Sequence, residues 1–385
     1  MKIGIYLGAF KPTEGGGYTF QESLLRGLSQ YKKLPFEFVG FFYGQSFLEI
    51  NGLKVVQIRE SLFQRIARRM NRLISKDYPS GLQHVLEKEK IDFVWFTSFS
   101  YEQVEVPFMH TVWDLQHRLQ PWFPEVSKKG QWNSREKMYS QALGRASFVL
   151  TGTTASEREL IRFYGVPPSR IRRLLHPTPE LDVNTTGDSS SLVPEGWRGK
   201  YWFYPAQFWA HKNHIRILLA LQSLNMNEPS QKAYAVFCGS DKGNLEYLKH
   251  QAHELGVAGQ VRFLGFVSHA QLLSLYRNSF ALVFPTFFGP ENLPPLEAFA
   301  LGCPVIASDV DGAREQLGDA SLLFDPYSAE SLVSQYVALR DSPGLRNKLI
   351  ERGRLRASSY TVSHYLDDIF KILNEFEGRR ITWAS

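Results

Sequence analysis

Two acidic residues lie close together in FFGPENLPPLEAFALGCPV, residues 287–305, where an apolar strand runs into a proline-rich loop and then an apolar helix. Pro294 and Pro295 pre-set the first turn of that helix, whose free amides should point back toward the loop. We expect Glu297 in this turn, where the helix dipole stabilises a carboxylate whatever its function. Alternatively, it accepts two hydrogen bonds from a vicinal diol such as a ribose. The role of Glu291 depends on where the loop backbone points.

A lysine stands at the start of another predicted helix, in YPAQFWAHKNH, residues 204–214. A cation at a helix N-terminus is unfavourable to the helix dipole, so this placement indicates an anionic partner. Lys212 and the free amides beside it could together neutralise a diphosphate. The alternative is an ordinary lysine at a helix surface.

Three glycines, Gly15, Gly16 and Gly17, separate the opening strand from the first predicted helix in GAFKPTEGGGYTF. Glycines at this point let backbone N–H groups approach a phosphate or a sugar, and the helix N-terminus favours negative charge. The alternative is a flexible turn. The spacing does not match the GxGxxG pattern of dinucleotide-binding folds.

Polar residues also gather at and beyond a strand end in VPFMHTVWDLQHRLQPWFPE, residues 106–125, which contains His110, Asp114 and His117. Such residues line a cleft more often than a core, but their number and spacing are not a metal-binding signature. His110 and Asp114 are four residues apart, so they could face the same side of an extended segment.

The stretch SLFQRIARRMNRLISK, residues 61–76, has apolar residues on one helical face and five basic residues on the rest. A basic amphipathic helix of this kind fits attachment to an anionic lipid surface. The alternative is an ordinary helix that packs its apolar face on a sheet.

Short apolar strands alternate with amphipathic helical segments along the chain, and the pattern restarts after residue 200. This alternation predicts an α/β protein with parallel sheets covered on both faces. Residues 184–200 are polar and rich in Ser, Gly and Thr, so we expect a linker there. Two doubly wound domains would leave a ligand-binding cleft at the carboxyl ends of their strands.

The composition is that of a globular protein of 385 residues, with 44 basic and 38 acidic residues. This mild basic excess suits an anionic small molecule or a membrane surface and does not by itself indicate nucleic acid. The two cysteines, Cys238 and Cys303, lie in apolar runs, so a reducing compartment is expected rather than a disulfide framework. No apolar run approaches the roughly 18 residues of a membrane span. We therefore expect a cytoplasmic protein, soluble or peripherally attached.

These motifs together resemble glycosyltransferase family 4, whose members are retaining nucleotide-sugar glycosyltransferases of the GT-B fold. The resemblance covers nearly the whole chain and is most specific in NLPPLEAFALGCPVIASDVDGAREQLGDASLLFDP. It implies two Rossmann-like domains that face each other across a cleft. The implied divisions are an acceptor domain at 1–183, a linker at 184–200, a donor domain at 201–360, and a helix at 361–378 that crosses back to the first domain.

The resemblance also implies roles for individual residues. Lys212 matches the lysine that binds donor phosphate, and Glu297 matches the glutamate that binds donor ribose. The glycine loop, with Gly16 and Gly17, is expected near donor phosphate and acceptor. The helix start at Asn292 and Leu293 is also expected to bind phosphate.

Three positions depart from the family pattern, and the donor sugar contacts depend on them. The first glutamate of the E-x7-E motif is replaced by Gly289, with Glu291 two residues further on. Gln207, expected to bind donor phosphate, stands where an arginine is usual. The family's histidine corresponds either to His110 or, in another register, to Trp113.

The function implied is transfer of a sugar from a UDP- or GDP-linked donor to a hydroxyl of a glycan or glycolipid, with His110 or Asp114 orienting a substrate. No metal or other cofactor is expected, because Lys212 and helix amides can stabilise the departing diphosphate. The DVD at 309–311 resembles a metal-binding motif of another transferase class, but it follows a strand of the second half and is discounted. Two alternatives stay open: an epimerase or hydrolase of nucleotide sugars, and a non-catalytic partner subunit that binds them.

Overall fold

The computed structural model describes residues 1–9, 15–44, 50, 52–59, 81–182, 185 and 187–382. The chain divides into two compact units. Unit 1 comprises Met1–Leu115, Trp132–Leu175 and Val362–Ser385, and unit 2 comprises Gln116–Gln131 and His176–Thr361. The predicted basic helix at 61–76 lies outside the described residues.

In its described part, the sheet of unit 1 has seven parallel strands in the order β3-β2-β1-β4-β5-β6-β7. The strands are β1 Lys2–Ala9, β2 Glu37–Tyr43, β3 Lys54–Gln57, β4 Phe93–Phe96, β5 Phe108–Thr111, β6 Phe148–Thr151 and β7 Ile171–Arg173. The helices are Gly16–Gln30, Gly81–Lys88, Gln131–Arg145, Thr154–Tyr164 and Val362–Arg380. All four residues of β4, β5 and β6 are buried, as expected for central strands covered on both faces.

Unit 2, as described, contains a six-stranded parallel sheet in the order β10-β9-β8-β11-β12-β13. The strands are β8 Tyr201–Pro205, β9 Tyr234–Cys238, β10 Val261–Phe263, β11 Ala281–Phe284, β12 Val305–Ser308 and β13 Ser321–Phe324. The helices are Gln116–Leu119, Pro124–Ser127, His214–Asn227, Leu245–Glu254, His269–Arg277, Leu293–Ala300, Ala313–Leu317, Ala329–Arg340 and Pro343–Ser359. The predicted α/β class, with two parallel-sheet Rossmann-like units, is confirmed.

The last helix, Val362–Arg380, belongs to unit 1 and packs through aromatic side chains. The ring of Tyr365 meets Phe20 of the first helix at 5.7 Å between centroids, and Phe376 meets Phe93 of β4 at 4.4 Å. The C-terminal helix is therefore part of the hydrophobic core of unit 1.

Two stretches differ from the predicted domain limits. Residues 184–200 were expected as a linker, but Val193 and Trp197 are buried in the core of unit 2. The Trp197 ring stacks on Tyr234 of β9 at 4.3 Å, so the described residues 187–200 pack on unit 2 and are not a free linker. Residues 116–131 were expected in the first domain, but they pack in unit 2.

The described helices include none that is long and apolar enough to span a membrane. Cys238 and Cys303 are both buried thiols that form no disulfide. Burial raises the pKa of Cys303 to about 11, so this thiol is protonated at neutral pH.

Candidate functional site

The order of strands in unit 2 defines one position where ligands are expected to bind. From β8 the chain runs outward to β9 and β10, and then crosses to β11 on the other side of β8. Open parallel sheets bind ligands at the carboxyl ends of strands where the order reverses in this way. The segments that follow β8 and β11, residues 206–213 and 285–292, are therefore the candidate site. We call the second of them the loop 285–292.

Backbone contacts join these two segments directly. The N–H of Phe287 donates to the carbonyl of His211 at 2.9 Å. The side-chain amide of Asn213 donates to the carbonyl of Pro285 at 2.9 Å and to that of Pro326 at 3.0 Å. The loop 285–292 is therefore held on the turn Ala210–Lys212, which precedes helix His214–Asn227.

Lys212 points its ammonium group toward the start of helix Leu293–Ala300. Its Nζ lies 3.4 Å from Oδ1 of Asn292 and 5.4 Å from the centre of the Phe284 ring. Asn292 in turn donates through Nδ2 to the carbonyl of Gly289 at 2.9 Å. The predicted phosphate-binding lysine and the predicted phosphate-binding helix start are thus brought together.

The backbone of Asn292 is already engaged by a side chain that the sequence did not single out. Its N–H donates to Oε1 of Gln316, and its carbonyl accepts from Nε2 of the same amide, both at 2.9 Å. Pro294 and Pro295 have no N–H, so the first three helical positions offer only the amide of Leu293. The expectation of several free amides at this helix start was wrong. The predicted role of binding phosphate through a backbone amide therefore stays with Leu293.

Glu297 is the fifth residue of helix Leu293–Ala300, and no acidic residue lies in the first turn. The expected first-turn position was wrong, because the helix begins before the two prolines rather than at them. Oε2 of Glu297 accepts from the hydroxyl of Tyr276 at 2.7 Å. Burial raises the pKa of Glu297, and the hydrogen bond from Tyr276 offsets part of that shift. The helix dipole therefore does not explain the position of this carboxylate, and the diol-binding alternative stays open.

Gly289, at the position of the absent first glutamate, has a backbone φ of +105°. A Cβ atom built there would lie 3.0 Å from Nδ2 and 3.1 Å from Oδ1 of Asn292. L-residues rarely adopt this conformation. The loop backbone at position 289 therefore has a conformation that a glutamate could adopt only with strain. The difference from the family pattern lies in the backbone as well as in the missing carboxylate.

Glu291 does not point freely into the site. Its carboxyl group accepts a hydrogen bond from the backbone N–H of His176, the residue at which the chain enters unit 2. Burial raises the pKa of Glu291 to about 8, the amide of His176 opposes this shift, and nearby Glu315 adds to it. Glu291 is thus mainly protonated at pH 7 and fastens the loop to the backbone at residue 176.

Gln207, at the position of the family's arginine, has its Oε1 bound to the indole N–H of Trp209 at 2.9 Å. This bond directs the amide end of Gln207, which can donate but carries no charge. Nζ of Lys242, in the segment after β9, lies 5.5 Å from the centre of the Trp209 ring. Lys242 therefore brings a second cation to the same edge, and the sequence analysis did not identify it.

In unit 1, Trp113 rather than His110 lies beside the glycine turn. A Cβ atom on Gly17 would come within 2.9 Å of the Trp113 ring, so only glycine permits this contact. Phe99, 49% exposed, meets the Trp113 ring edge-on at 5.8 Å. Asp114 pairs with Arg135 at 3.1 Å. These side chains follow β4 and β5, and Gly17 lies in the first turn of the helix that follows β1.

His110 lies in the core of unit 1 and is fully buried. Its ring is surrounded by Phe96, Tyr101 and Tyr139, and neither ring nitrogen has a hydrogen-bond partner among the described residues. Burial lowers the pKa of His110 to about 3, so the ring is neutral at pH 7. His110 and Asp114 do not share one extended segment, because β5 ends at Thr111 and only Asp114 lies beyond it.

The described residues contain no group of three or more His, Cys, Asp or Glu side chains that could hold a metal ion. Asp309 of the discounted DVD pairs with Arg314 at the surface. His117 is buried in the segment 116–131 of unit 2.

The chain is similar to known proteins in both sequence and fold. Residues 196–356 match the family model "Glycosyl transferases group 1". The chain is 27% identical over 243 residues to the O-antigen chain mannosyltransferase B of Escherichia coli, a match covering 62% of this chain and 63% of that relative's length. The match therefore spans less than two thirds of the relative.

Two solved structures share the fold over nearly the whole chain. Sucrose-phosphate synthase from Thermosynechococcus elongatus has a TM-score of 0.76 at 14% identity, covering 98% of this chain and 100% of that one. Anabaena HepE in complex with UDP and glucose has a TM-score of 0.71 at 17% identity, covering 97% and 100%. The two Rossmann-like units thus have the arrangement of strands and helices known as GT-B.

Proposed function

We propose, since residues 196–356 match the family model "Glycosyl transferases group 1", that this protein transfers a sugar from a nucleoside diphosphate to an acceptor hydroxyl. The observation that carries the proposal is the convergence of Lys212 and the start of helix Leu293–Ala300, with Glu297 further along that helix, at the reversal of strand order in unit 2. A cation, a backbone amide and a carboxylate are the groups that a diphosphate and a ribose need.

The donor is bound by groups with distinct tasks. The ammonium group of Lys212 and the N–H of Leu293 contact the diphosphate, and Lys242 adds a second positive charge nearby. Glu297 accepts hydrogen bonds from the ribose hydroxyls. Tyr276 supports this role because its hydroxyl occupies only one of the two carboxylate oxygens.

The chemistry follows from the charge that develops on the leaving group. As the bond from the sugar to the diphosphate breaks, negative charge accumulates on the departing oxygen, and Lys212 with the Leu293 amide stabilises it. The same diphosphate takes the proton of the attacking hydroxyl on the same face of the sugar, so the anomeric configuration is retained. No metal is required in this scheme.

The acceptor is a hydroxyl of a glycan or glycolipid, and we assign it to the carboxyl edge of unit 1. Trp113 and Phe99 offer aromatic faces there, and the ion pair of Asp114 with Arg135 offers hydrogen-bonding groups. Gly16 and Gly17, which the resemblance places near donor phosphate as well as acceptor, are assigned here to the acceptor, because Gly17 lies beside Trp113 in unit 1. His110 supports this edge from the core and does not contact the substrates.

One observation favours a second candidate function. The loop at Gly289 cannot carry the usual glutamate without strain, so the donor sugar lacks one expected contact. A subunit that binds a nucleotide sugar without transferring it would tolerate this loss. The two candidates share the donor site and differ only in turnover.

Isothermal titration with UDP, GDP and their common sugars, followed by transfer and hydrolysis assays, tests the proposal. We expect one nucleotide to bind and its sugar to be transferred to a glycan or glycolipid acceptor. Binding without transfer would favour the partner subunit, and rapid release of free nucleotide without acceptor would favour a hydrolase. Absence of binding to every nucleotide would contradict the proposal.

Attachment to the inner face of the membrane through residues 61–76 is a separate part of the proposal. It is supported by the sequence pattern alone, with Arg68, Arg69 and Arg72 on the polar face. Replacing these three by alanine should reduce sedimentation with anionic liposomes, because each basic residue near such a surface contributes about 1 kcal/mol. Unchanged sedimentation would refute the membrane role.

A further inference from the structure

The segment 116–131 is part of unit 2, although the chain on both sides of it belongs to unit 1. Within this segment, Glu125 has a nearly buried side chain, 6% exposed, and it faces His211. His211 is next to Lys212 in the turn Ala210–Lys212. A buried acid therefore lies against the turn that presents the proposed phosphate-binding lysine.

One oxygen of Glu125 receives two hydrogen bonds from the same residue. Oε1 accepts from the backbone N–H of His211 at 2.8 Å, and it also contacts Nδ1 of the ring. Burial alone would raise the pKa of Glu125, but the hydrogen bonds from His211 outweigh it and the pKa is lowered. The carboxylate is thus ionised and can only accept, so Nδ1 of His211 carries a proton.

His211, held in place by Glu125, contacts the loop 285–292 at two adjacent residues. Its carbonyl accepts from the N–H of Phe287 at 2.9 Å. Its ring stacks on Phe288 with 3.9 Å between centroids and 10° between planes. Both the backbone and the ring of His211 therefore set where this loop lies.

The segment 116–131 also contacts the loop directly. The side-chain amide of Gln120 donates to the carbonyl of Phe287 at 3.0 Å. The ring of Phe123 packs against Phe287 at 5.5 Å and against Phe288 at 5.6 Å. Phe287 and Phe288 are therefore held from two sides, by His211 and by the segment 116–131.

We propose that Glu125 is a positioning residue for the donor site: through His211 it fixes the loop 285–292 and the turn that presents Lys212. This inference rests on the proposed function, since it takes a nucleoside diphosphate as the ligand. Glu125 does not contact the donor, and its effect passes through His211. Losing the carboxylate should leave the loop free to move away from Lys212 and weaken binding of the diphosphate.

The test compares Glu125→Ala, Glu125→Gln and the wild-type protein by amide hydrogen exchange without ligand and by titration with UDP and GDP. Glu125→Ala removes the acceptor, whereas Glu125→Gln keeps an oxygen that can accept from both N–H groups. Glu246→Ala is the matched control, because Glu246 is an exposed acid of the same unit that pairs with Lys249. If Glu125→Ala fails to fold, Gln120→Ala removes a second contact to the same loop.

We expect faster exchange at the amides of His211 and Phe287 in Glu125→Ala and about tenfold weaker binding of the nucleotide, equivalent to about 1.4 kcal/mol. Glu125→Gln should recover most of both effects, and Glu246→Ala should change neither. Faster exchange with unchanged affinity would overturn the positioning role, and so would unchanged exchange. If the wild-type protein binds neither nucleotide, the proposed function fails and this inference with it, while the exchange rates still show whether Glu125 holds the loop.

Discussion

The carboxyl edges of the two sheets are built differently. In unit 2 the candidate residues are joined by hydrogen bonds to one another and to nearby side chains. For example, Lys212 donates to the side chain of Asn292, whose backbone N–H donates to Gln316. In unit 1 the edge consists of aromatic rings beside glycine and one ion pair, and the predicted histidine is in the core. A site for one constant ligand, a diphosphate, can be fastened by its own side chains. The proposed acceptor edge of unit 1 relies instead on packing surfaces in loops, where specificity in a fold can change.

The largest difference between the edges should appear on removal of Lys212. Lys212→Ala should weaken binding of UDP or GDP by about 2 kcal/mol, roughly thirtyfold, because a charge-assisted contact to phosphate is lost. Lys249→Ala is the control, since that lysine pairs with Glu246 at the surface of the same unit. Equal affinities for the two variants, measured by isothermal titration, would remove the phosphate role from Lys212.

Substitution of Gly289 should show that the loop path excludes the family's first glutamate. Gly289→Ala and Gly289→Glu should each lower the free energy of unfolding by about 1–3 kcal/mol, the usual cost of a strained backbone conformation. Gly289→Glu should not raise transfer activity. Gly259→Ala is the control, because a Cβ there meets nothing within 4 Å. If urea unfolding gives the same stability for Gly289→Ala as for this control, the strain argument is wrong.

The hydroxyl of Tyr276 should matter more than a similar hydroxyl in unit 1. Tyr276→Phe removes the hydroxyl that donates to the half-buried carboxylate of Glu297 and should cost about 1–2 kcal/mol in stability, with weaker nucleotide binding. Tyr31→Phe removes an exposed hydrogen bond to Asp367 at 2.8 Å and should change stability by less than about 0.5 kcal/mol. Thermal unfolding with and without UDP measures both, and similar losses in the two variants would contradict the contrast.

A change at the edge of unit 1 should affect the acceptor and leave the donor unaffected. Gly17→Ala forces the Trp113 ring aside and should reduce the specificity constant for the acceptor by about 1 kcal/mol, the scale of overpacking. Nucleotide affinity should not change. Gly144→Ala, also in unit 1, has open space around the new Cβ and serves as the control. A fall in nucleotide affinity for Gly17→Ala would contradict the assignment of Gly17 to the acceptor.

The smallest effect concerns pH. Because the pKa of Glu291 is raised to about 8, the folded protein holds a proton that the unfolded chain releases above about pH 4.5. Stability contributed by this group is therefore full below about pH 4.5 and is lost as pH rises toward 8. Glu291→Gln should remove this slope. The side chain is half-buried, so screening limits the change in stability to about 1 kcal/mol. Thermal melts at pH 5 and pH 8 measure it, and an equal loss of stability between these pH values in the wild-type protein and in Glu291→Gln would refute the prediction.

The fold class and the residues of the unit 2 edge could be predicted because they follow from short-range patterns. Strands alternate with helices, Lys212 precedes a helix, and Glu297 lies at a fixed distance from NLPP. The pairing of Glu125 with His211 joins residues 86 positions apart, which no local pattern reveals. The burial of His110 and the φ of Gly289 likewise depend on tertiary packing. The sequence therefore could not predict that the His110 side chain points into the core, or what backbone conformation the loop 285–292 has at Gly289.

In this proposal, the turn Ala210–Lys212, the loop 285–292 and helix Leu293–Ala300 form the nucleoside diphosphate site. Amide hydrogen exchange of the wild-type protein with and without saturating UDP or GDP tests this most directly. We predict that the nucleotide slows exchange in these three segments and leaves residues 15–20 and 108–115 of unit 1 unchanged. Slower exchange confined to unit 1, or no change in the three segments while the nucleotide binds, would contradict the account.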